Sequence, residues 1–255
     1  MPNLRVHFLA EMVDPGDLAG GRSVVVDVLR ATTTVVSALV AGARAVVPCL
    51  SVDEARRLAS TFPPGQAVLG GERGGLPIEG FDLGNSPAEY TPRAVAGKTV
   101  VLTTTNGTKA LLHCRAAQEI VLGAFVNLSA LCGYLTQNAQ AGATDVNLVC
   151  AGTEMHVTRE DVLLAGAVAQ RLAGAGWQLD DEAAIARDAW RAVSASATGA
   201  ELKDRLASAL RASRGGGNLI QIGMAGDIEL AADVDRFAIV PRFDAKTMRI
   251  EALSQ

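Results

Sequence analysis

The chain is predicted to fold as a layered α/β/α protein with a largely parallel or mixed central sheet. Three strand–polar-loop–helix units carry that prediction. Val24–Leu29 leads into Arg30–Thr34, Thr99–Leu102 into Thr103–Thr108, and Val146–Cys150 into Ala151–Asp161. Each begins as an apolar, β-branched run of strand length and ends where helical spacing takes over. Such alternation implies a sheet covered by helices. The first two units share a Thr-Thr-Thr, which admits an internal duplication. The 255 residues accommodate one large domain, or two intertwined α/β halves, and no composition shift marks a linker.

Taken in order, Arg5–Leu9 is a short strand and Asp14-Pro15-Gly16 a turn. After Val24–Leu29, a helix over about Thr33–Ala43 buries Val35, Val36, Leu39 and Val40. Ala45–Leu50 is a second strand. Ser51 followed by Glu54 is the capping-box pattern, which starts a helix over Val52–Ser60. Gln66–Leu69 is a strand. Gly70–Pro92 then holds six glycines and three prolines in 23 residues and reads as a long loop of the kind that is either functional or mobile. Lys109–Ala117 is helical, Glu119–Leu122 a strand, and Arg159–Leu172 a helix. Asp180–Arg214 is helical in pattern, with Ile185, Trp190 and Val193 on one face and Leu202, Leu206 and Leu210 on another. Gly215-Gly216-Gly217-Asn218 breaks it, and Gly223–Gly226 forms a second Gly-rich loop before Asp227. Arg236–Pro241 and Thr247–Ala252 read as C-terminal antiparallel edge strands.

Composition narrows the function. The net charge of −4 supplies no general attraction to nucleic acid or anionic membrane. No uncharged apolar run approaches the roughly 18 residues of a membrane span. Cys49, Cys114, Cys132 and Cys150 fit no zinc spacing, and no secretory signal opens the chain, so reduced thiols and a cytoplasmic location are expected. Ala-rich helices and the terminal hairpin are compatible with a homodimer.

The chemistry is expected where strands of a parallel sheet end. Hydroxyls, backbone N–H groups and helix N-termini at three such ends suit an oxyanion. The P-loop, G-x-G-x-x-G and G-x-S-x-G patterns are absent. With only His7, His113 and His156, carboxylates are the better source of chemistry. Asp27, inside an apolar strand, requires a cation, either Arg30 or a metal. Glu72, Asp82, Glu160 and Asp161 lie in the polar stretches, where Glu160 also reads as helix-dipole compensation and Asp82 as a turn acid. Arg30, Arg73 and Lys109 are candidate anion partners. Cys150 reads either as a nucleophile or as a small buried hydrophobe.

Several stretches together resemble the 2-phosphosulfolactate phosphatase family. They are Asp27–Thr34, Gly71-Glu72-Arg73-Gly74, Gly80–Pro87, Thr103–Thr108, and Cys150-Ala151-Gly152-Thr153 with Glu160-Asp161. The resemblance spans about residues 5–241; Glu154-Met155-His156-Val157 departs from it, because a glycine usually follows the Cys150–Thr153 piece. It implies a Mg²⁺-dependent phosphatase that converts (R)-2-phospho-3-sulfolactate to sulfolactate and phosphate. In methanogens this reaction serves coenzyme M synthesis. The expected metal ligands are Asp27, Glu72 and Asp161, with Arg30 also catalytic. The expected substrate contacts are Thr32, Thr33, Thr34, Arg73, Gly74, Asn85, Thr104, Thr105, Asn106, Gly107, Thr108, Cys150 and Gly152. A phosphatase for another phosphorylated small hydroxy acid, a lyase on the same scaffold, and a non-catalytic binder of an anionic metabolite are the alternatives. The composite site requires residues near 27, 72, 105 and 161 to meet in space.

Overall fold

The computed structural model describes residues 1–139 and 145–253. Its strands are β1 (Asn3–His7), β2 (Arg22–Val26), β3 (Ala45–Pro48), β4 (Ala67–Arg73), β5 (Leu76–Pro77), β6 (Thr99–Thr103), β7 (Glu119–Gly123), β8 (Val146–Cys150), β9 (Gln178–Leu179), β10 (Pro241–Asp244) and β11 (Arg249–Ala252). They form one 11-stranded sheet in the order β5-β4-β6-β3-β11-β10-β7-β2-β8-β1-β9. The α/β class and mixed sheet are as expected.

The C-terminal strands are not at an edge. β10 and β11 pair antiparallel with each other and join two parallel groups, with β11 against β3 and β10 against β7. The alternation of Pro241–Asp244, buried at Pro241 and Phe243 and exposed between, looks like a half-solvated edge in one dimension. Only the pairing partners reveal its central place. This ribbon reverses strand direction between the groups. The exits of β2, β4 and β6 nevertheless line one cavity, which requires strong twisting of the sheet across the ribbon.

Helices cover both faces. α1 (Ala31–Val40) and α4 (Gly107–His113) lie in the inner core, with Val25, Val46, Val100, Phe243 and Ile250 contributed by strands of both groups and the central ribbon. On the other face, α5 (Leu128–Ala139), α6 (Arg159–Gly174), α7 (Asp181–Ser194) and α8 (Gly199–Arg211) pack on Leu4, Val24, Val26 and Leu148. α5 is unassigned in the sequence reading, although Leu128, Leu131 and Leu135 hold helical spacing and are fully buried. α2 (Val52–Ala59) is capped as expected at one end: the Ser51 hydroxyl accepts from Glu54 N at 3.1 Å. The returning Glu54 carboxylate takes Leu50 N rather than Ser51 N. A single turn, α3 (Pro92–Val95), precedes β6.

Several local expectations change. Val40 is 42% exposed and Ile185 59% exposed, so each lies outside its predicted buried face. The predicted helix 180–214 is interrupted at Ser196, which adopts φ +57 between α7 and α8. The glycines after Arg214 do not break helix: α9 (Arg214–Gln221) runs through them, started by the Ser213 hydroxyl on Gly216 N. A Cβ at Gly216 would sit 1.9 Å from the Leu210 carbonyl oxygen, so the helix needs glycine there to approach α8. A last short helix, α10 (Gly226–Ala231), begins inside the second Gly-rich stretch. Likewise β4 continues through Gly70–Arg73, because a Cβ at Gly71 would lie 2.1 Å from the Thr103 carbonyl oxygen.

Candidate active site

The exits of β2, β4 and β6 meet α9 around a cavity of about 290 Å³. Asp27, Arg30, Glu72, Gly74, Asn85, Thr104, Thr105 and Asn106 line it, all of them expected from the sequence. Thr153 and Glu154 add the β8 exit, and Gly215, Asn218, Leu219, Gln221 and Ile222 close the far wall.

Asp27 sits one residue past β2, where the chain turns into α1. Its Oδ1 accepts the Ala31 N–H at 3.1 Å, and its Oδ2 accepts no hydrogen bond from the described residues. The space beside Oδ2 is kept by Gly107, whose added Cβ would lie 2.6 Å from it. Burial above all, opposed by the Ala31 N–H and aided by the charges of Glu72 and Glu160 against that of Arg30, pushes the Asp27 carboxyl up to about 7. No ion pair involves Asp27 among the described residues.

Of the two cations named for Asp27, Arg30 does not pair with it. Arg30 Nη1 donates to Asp227 Oδ2 at 2.8 Å and to Met224 Sδ at 3.0 Å, and Nη2 donates to the Gly75 carbonyl at 2.6 Å. Asp227, just inside α10, escapes sequence reasoning because nearly 200 residues separate it from Arg30. Its only sequence signal is an acid following a Gly-rich turn.

Glu72 organises two loops. Its Oε1 accepts Thr105 N at 2.6 Å, and its Oε2 accepts Gly75 N at 2.7 Å and the Thr105 hydroxyl at 3.1 Å. Thr104 and Thr108 cap α4 reciprocally through their hydroxyls and backbone N–H groups. The Asn106 side-chain oxygen receives Glu154 N at 3.3 Å, which joins the second and third loops. Asn85 Oδ1 is buried with no hydrogen-bond partner.

Other expected residues lie behind this surface. The Thr32 and Thr33 hydroxyls return to the Asp27 and Val28 carbonyls, and the Thr34 hydroxyl binds the Asn85 carbonyl. Arg73 is held by the Glu72 and Leu50 carbonyls and the Thr103 hydroxyl. Asp161 Oδ1 accepts Val28 N at 2.9 Å; Oδ2 accepts Gly152 N at 3.0 Å and the Thr158 hydroxyl at 3.2 Å. Asp161 thus clips the β2 exit to the β8 exit. Burial, with the charges of Glu160 and Asp27, holds its carboxyl well above the usual range. Glu160 is buried against Gly215, with Oε2 unpartnered and its carboxyl raised by burial. Cys150 is fully buried, and burial keeps it a thiol. His156 is exposed, and its ring Nδ1 hydrogen-bonds the Glu154 carbonyl. Residues near 27, 72 and 105 therefore converge on the cavity, while residue 161 supports it from behind.

The oxygen donors facing the cavity are hard ones. Among the described residues no three His, Cys, Asp or Glu side chains form a ready-made metal cluster. Asp27 Oδ2 and Asn85 Oδ1, both without hydrogen-bond partners among the described residues, are oxygen donors of the kind a hard cation takes.

An α/β sheet whose strand exits build a small, acid-bearing, oxygen-lined cavity defines a site of the size and polarity of a small polar metabolite. The family described as 2-phosphosulpholactate phosphatase matches residues 8–246. The chain belongs to that family, and so to the phosphoric monoester hydrolases. A protein of Caldanaerobacter subterraneus subsp. tengcongensis is 36% identical over 94% of this chain and 94% of its own length. One of Symbiobacterium thermophilum is 38% identical over 89% of this chain and 93% of its own, and one of Deinococcus radiodurans is 39% identical over 93% and 92%. Each of the three carries the name probable 2-phosphosulfolactate phosphatase. No helix among the described residues is long and apolar enough to cross a membrane.

Proposed function

We propose that the protein hydrolyses the phosphate ester of 2-phospho-3-sulfolactate with a divalent cation, Mg²⁺, bound at Asp27. The charge balance of the cavity carries this reading. Its charged lining is Asp27, Glu72 and Glu154 against Arg30 alone, and Arg30 already faces Asp227. A substrate with phosphate, sulfonate and carboxylate groups enters such a site only if a cation offsets the acids. Asp27 Oδ2 and Asn85 Oδ1 would hold the cation, with Glu72 adding charge from the adjacent wall. Bound there, the ion would polarise a phosphoryl oxygen and neutralise charge on the transferring group.

The chain's own groups do the rest. The Asp27 carboxyl gives up its proton on loading, since only the carboxylate is a ligand. Glu72 fixes the Thr105 and Gly75 backbones, so two walls of the cavity keep their shape during turnover. Arg30 offers its uncommitted N–H groups to an acidic oxygen. Asp161 keeps the β2 and β8 exits in register and is assigned a supporting role.

Phosphate release from 2-phospho-3-sulfolactate, followed with Mg²⁺, with chelator, and after Mg²⁺ is restored, tests the reading. Release that stops with chelator and returns with Mg²⁺ is expected. Turnover indifferent to chelator removes the cation from the mechanism. Release only from other phosphorylated hydroxy acids replaces the substrate.

A further inference from the structure

We propose that Asp227 is a positioning residue: with Ser86 it fixes the Arg30 guanidinium so that its remaining donors clamp an acidic group of the substrate in the cavity. The clamp itself stands on the geometry; the identity of what it grips rests on the phosphatase reading.

Arg30 lines the cavity and Asp227 does not, so Asp227 reaches substrate only through Arg30. Both side chains are almost fully buried, at 3% and 6% exposure. A guanidinium has five N–H donors in a rigid plane. Here Nη1 is committed to Asp227 and Met224, and Nη2 places one donor on the Gly75 carbonyl. The plane is thus pinned from two sides. Nε–H and one Nη2 hydrogen have no acceptor among the described residues and remain to donate to an oxyanion.

The anchor is itself anchored. Asp227 Oδ1 accepts the Ser86 hydroxyl at 2.5 Å, and Ser86 follows Asn85, whose side-chain oxygen is without a partner. One carboxylate therefore ties together the β2 exit, the loop around Asn85, and α10. A free arginine side chain loses rotamer entropy when it grips a ligand; a pinned one has lost it on folding. The effect of Asp227 should therefore appear in substrate affinity and vanish when Arg30 is gone.

The test is a double-mutant cycle on the full chain with 2-phospho-3-sulfolactate at saturating Mg²⁺. Asp227→Asn keeps the shape and removes the charge. The expected result is a KM raised roughly 10–100-fold with kcat within about 3-fold and a cooperative melt retained. In the Arg30→Ala background, Asp227→Asn should change kcat/KM by less than about 2-fold. The same fold-loss in both backgrounds, or a KM that does not move, overturns the proposal. Should Arg30→Ala not fold, Arg30→Met takes its place in the cycle, since it fills the buried volume but carries no donor for Asp227 to position, and the same less than about 2-fold effect of Asp227→Asn is expected there. If the wild-type chain releases no phosphate, calorimetric binding of inorganic phosphate decides separately. Binding weakened by Asp227→Asn supports the positioning role and overturns only the phosphatase reading; binding unchanged by it overturns the positioning role.

Discussion

Asp27, a carboxylate just past an apolar strand, lines the cavity, with one oxygen tied to the head of α1 and the other without a hydrogen-bond partner among the described residues. Its folded-state value of about 7 lies above the ordinary 3.8, so the folded chain holds this proton more tightly than the unfolded chain. Stability from this group is full below about 4 and is lost as pH rises toward 7. Asp27→Asn should therefore melt higher than wild type at pH 8 in the absence of metal, with the gap closing toward pH 4. Thermal melts across pH check this, and a wild-type gap that grows toward acid overturns it. The same variant should lose turnover by at least ~10²-fold, the usual effect of removing a key electrostatic group from a reacting centre. Asp161 behaves differently, because its oxygens receive Val28 N and Gly152 N. Asp161→Asn replaces one acceptor with a donor and should lower stability by about 1–3 kcal/mol while retaining a Mg²⁺-induced rise in melting temperature. Loss of that rise in a folded Asp161→Asn protein would instead make Asp161 a metal ligand. Asp27 was legible as a residue needing explanation. Its release from Arg30 was not, since Asp227 competes for the guanidinium from a distant segment.

At the scale of elements, α9 shows how glycine-rich sequence can serve a helix. Gly215 and Gly216 let it lie close to Glu160 and to the end of α8, where added Cβ atoms would stand 2.0 Å from Glu160 Oε1 and 1.9 Å from the Leu210 oxygen. The intrinsic disadvantage of glycine in a helix, about 1 kcal/mol each, is outweighed by that approach and by the Ser213 cap. Gly216→Ala should cost about 2–4 kcal/mol in chemical denaturation, because the obstruction is backbone and cannot rotate away. A neutral effect would mean that α9 packs less closely. Propensity alone marks this stretch as a break, and tertiary contact overrides it. β4 extends through Gly70-Gly71 for the same reason. By contrast α2, α6 and strands β2, β6 and β8 follow from spacing and caps, because their determinants are local.

Across the whole molecule, two parallel groups of strands are held in one sheet by a ribbon from the end of the chain. Phe243 and Ile250 of that ribbon lie in the core with Val25, Val46 and Val100. A chain ending at Val240 should therefore lose its cooperative melt rather than shed a dispensable tail; circular dichroism measures this, and a native-like melt would contradict the central placement. The sequence by itself determined the α/β class, the three polar strand exits, the family, and eight of the residues that line the cavity, because periodicity, capping and short motifs are local properties of the chain. Tertiary structure alone decided that the terminal strands lie at the centre and that α9 closes the site. It also decided that Asp161 clips two loops and that Arg30 answers to Asp227. Each of these depends on which distant segments compete for one hydrogen-bonding group or one volume, and that competition exists only once the chain is folded.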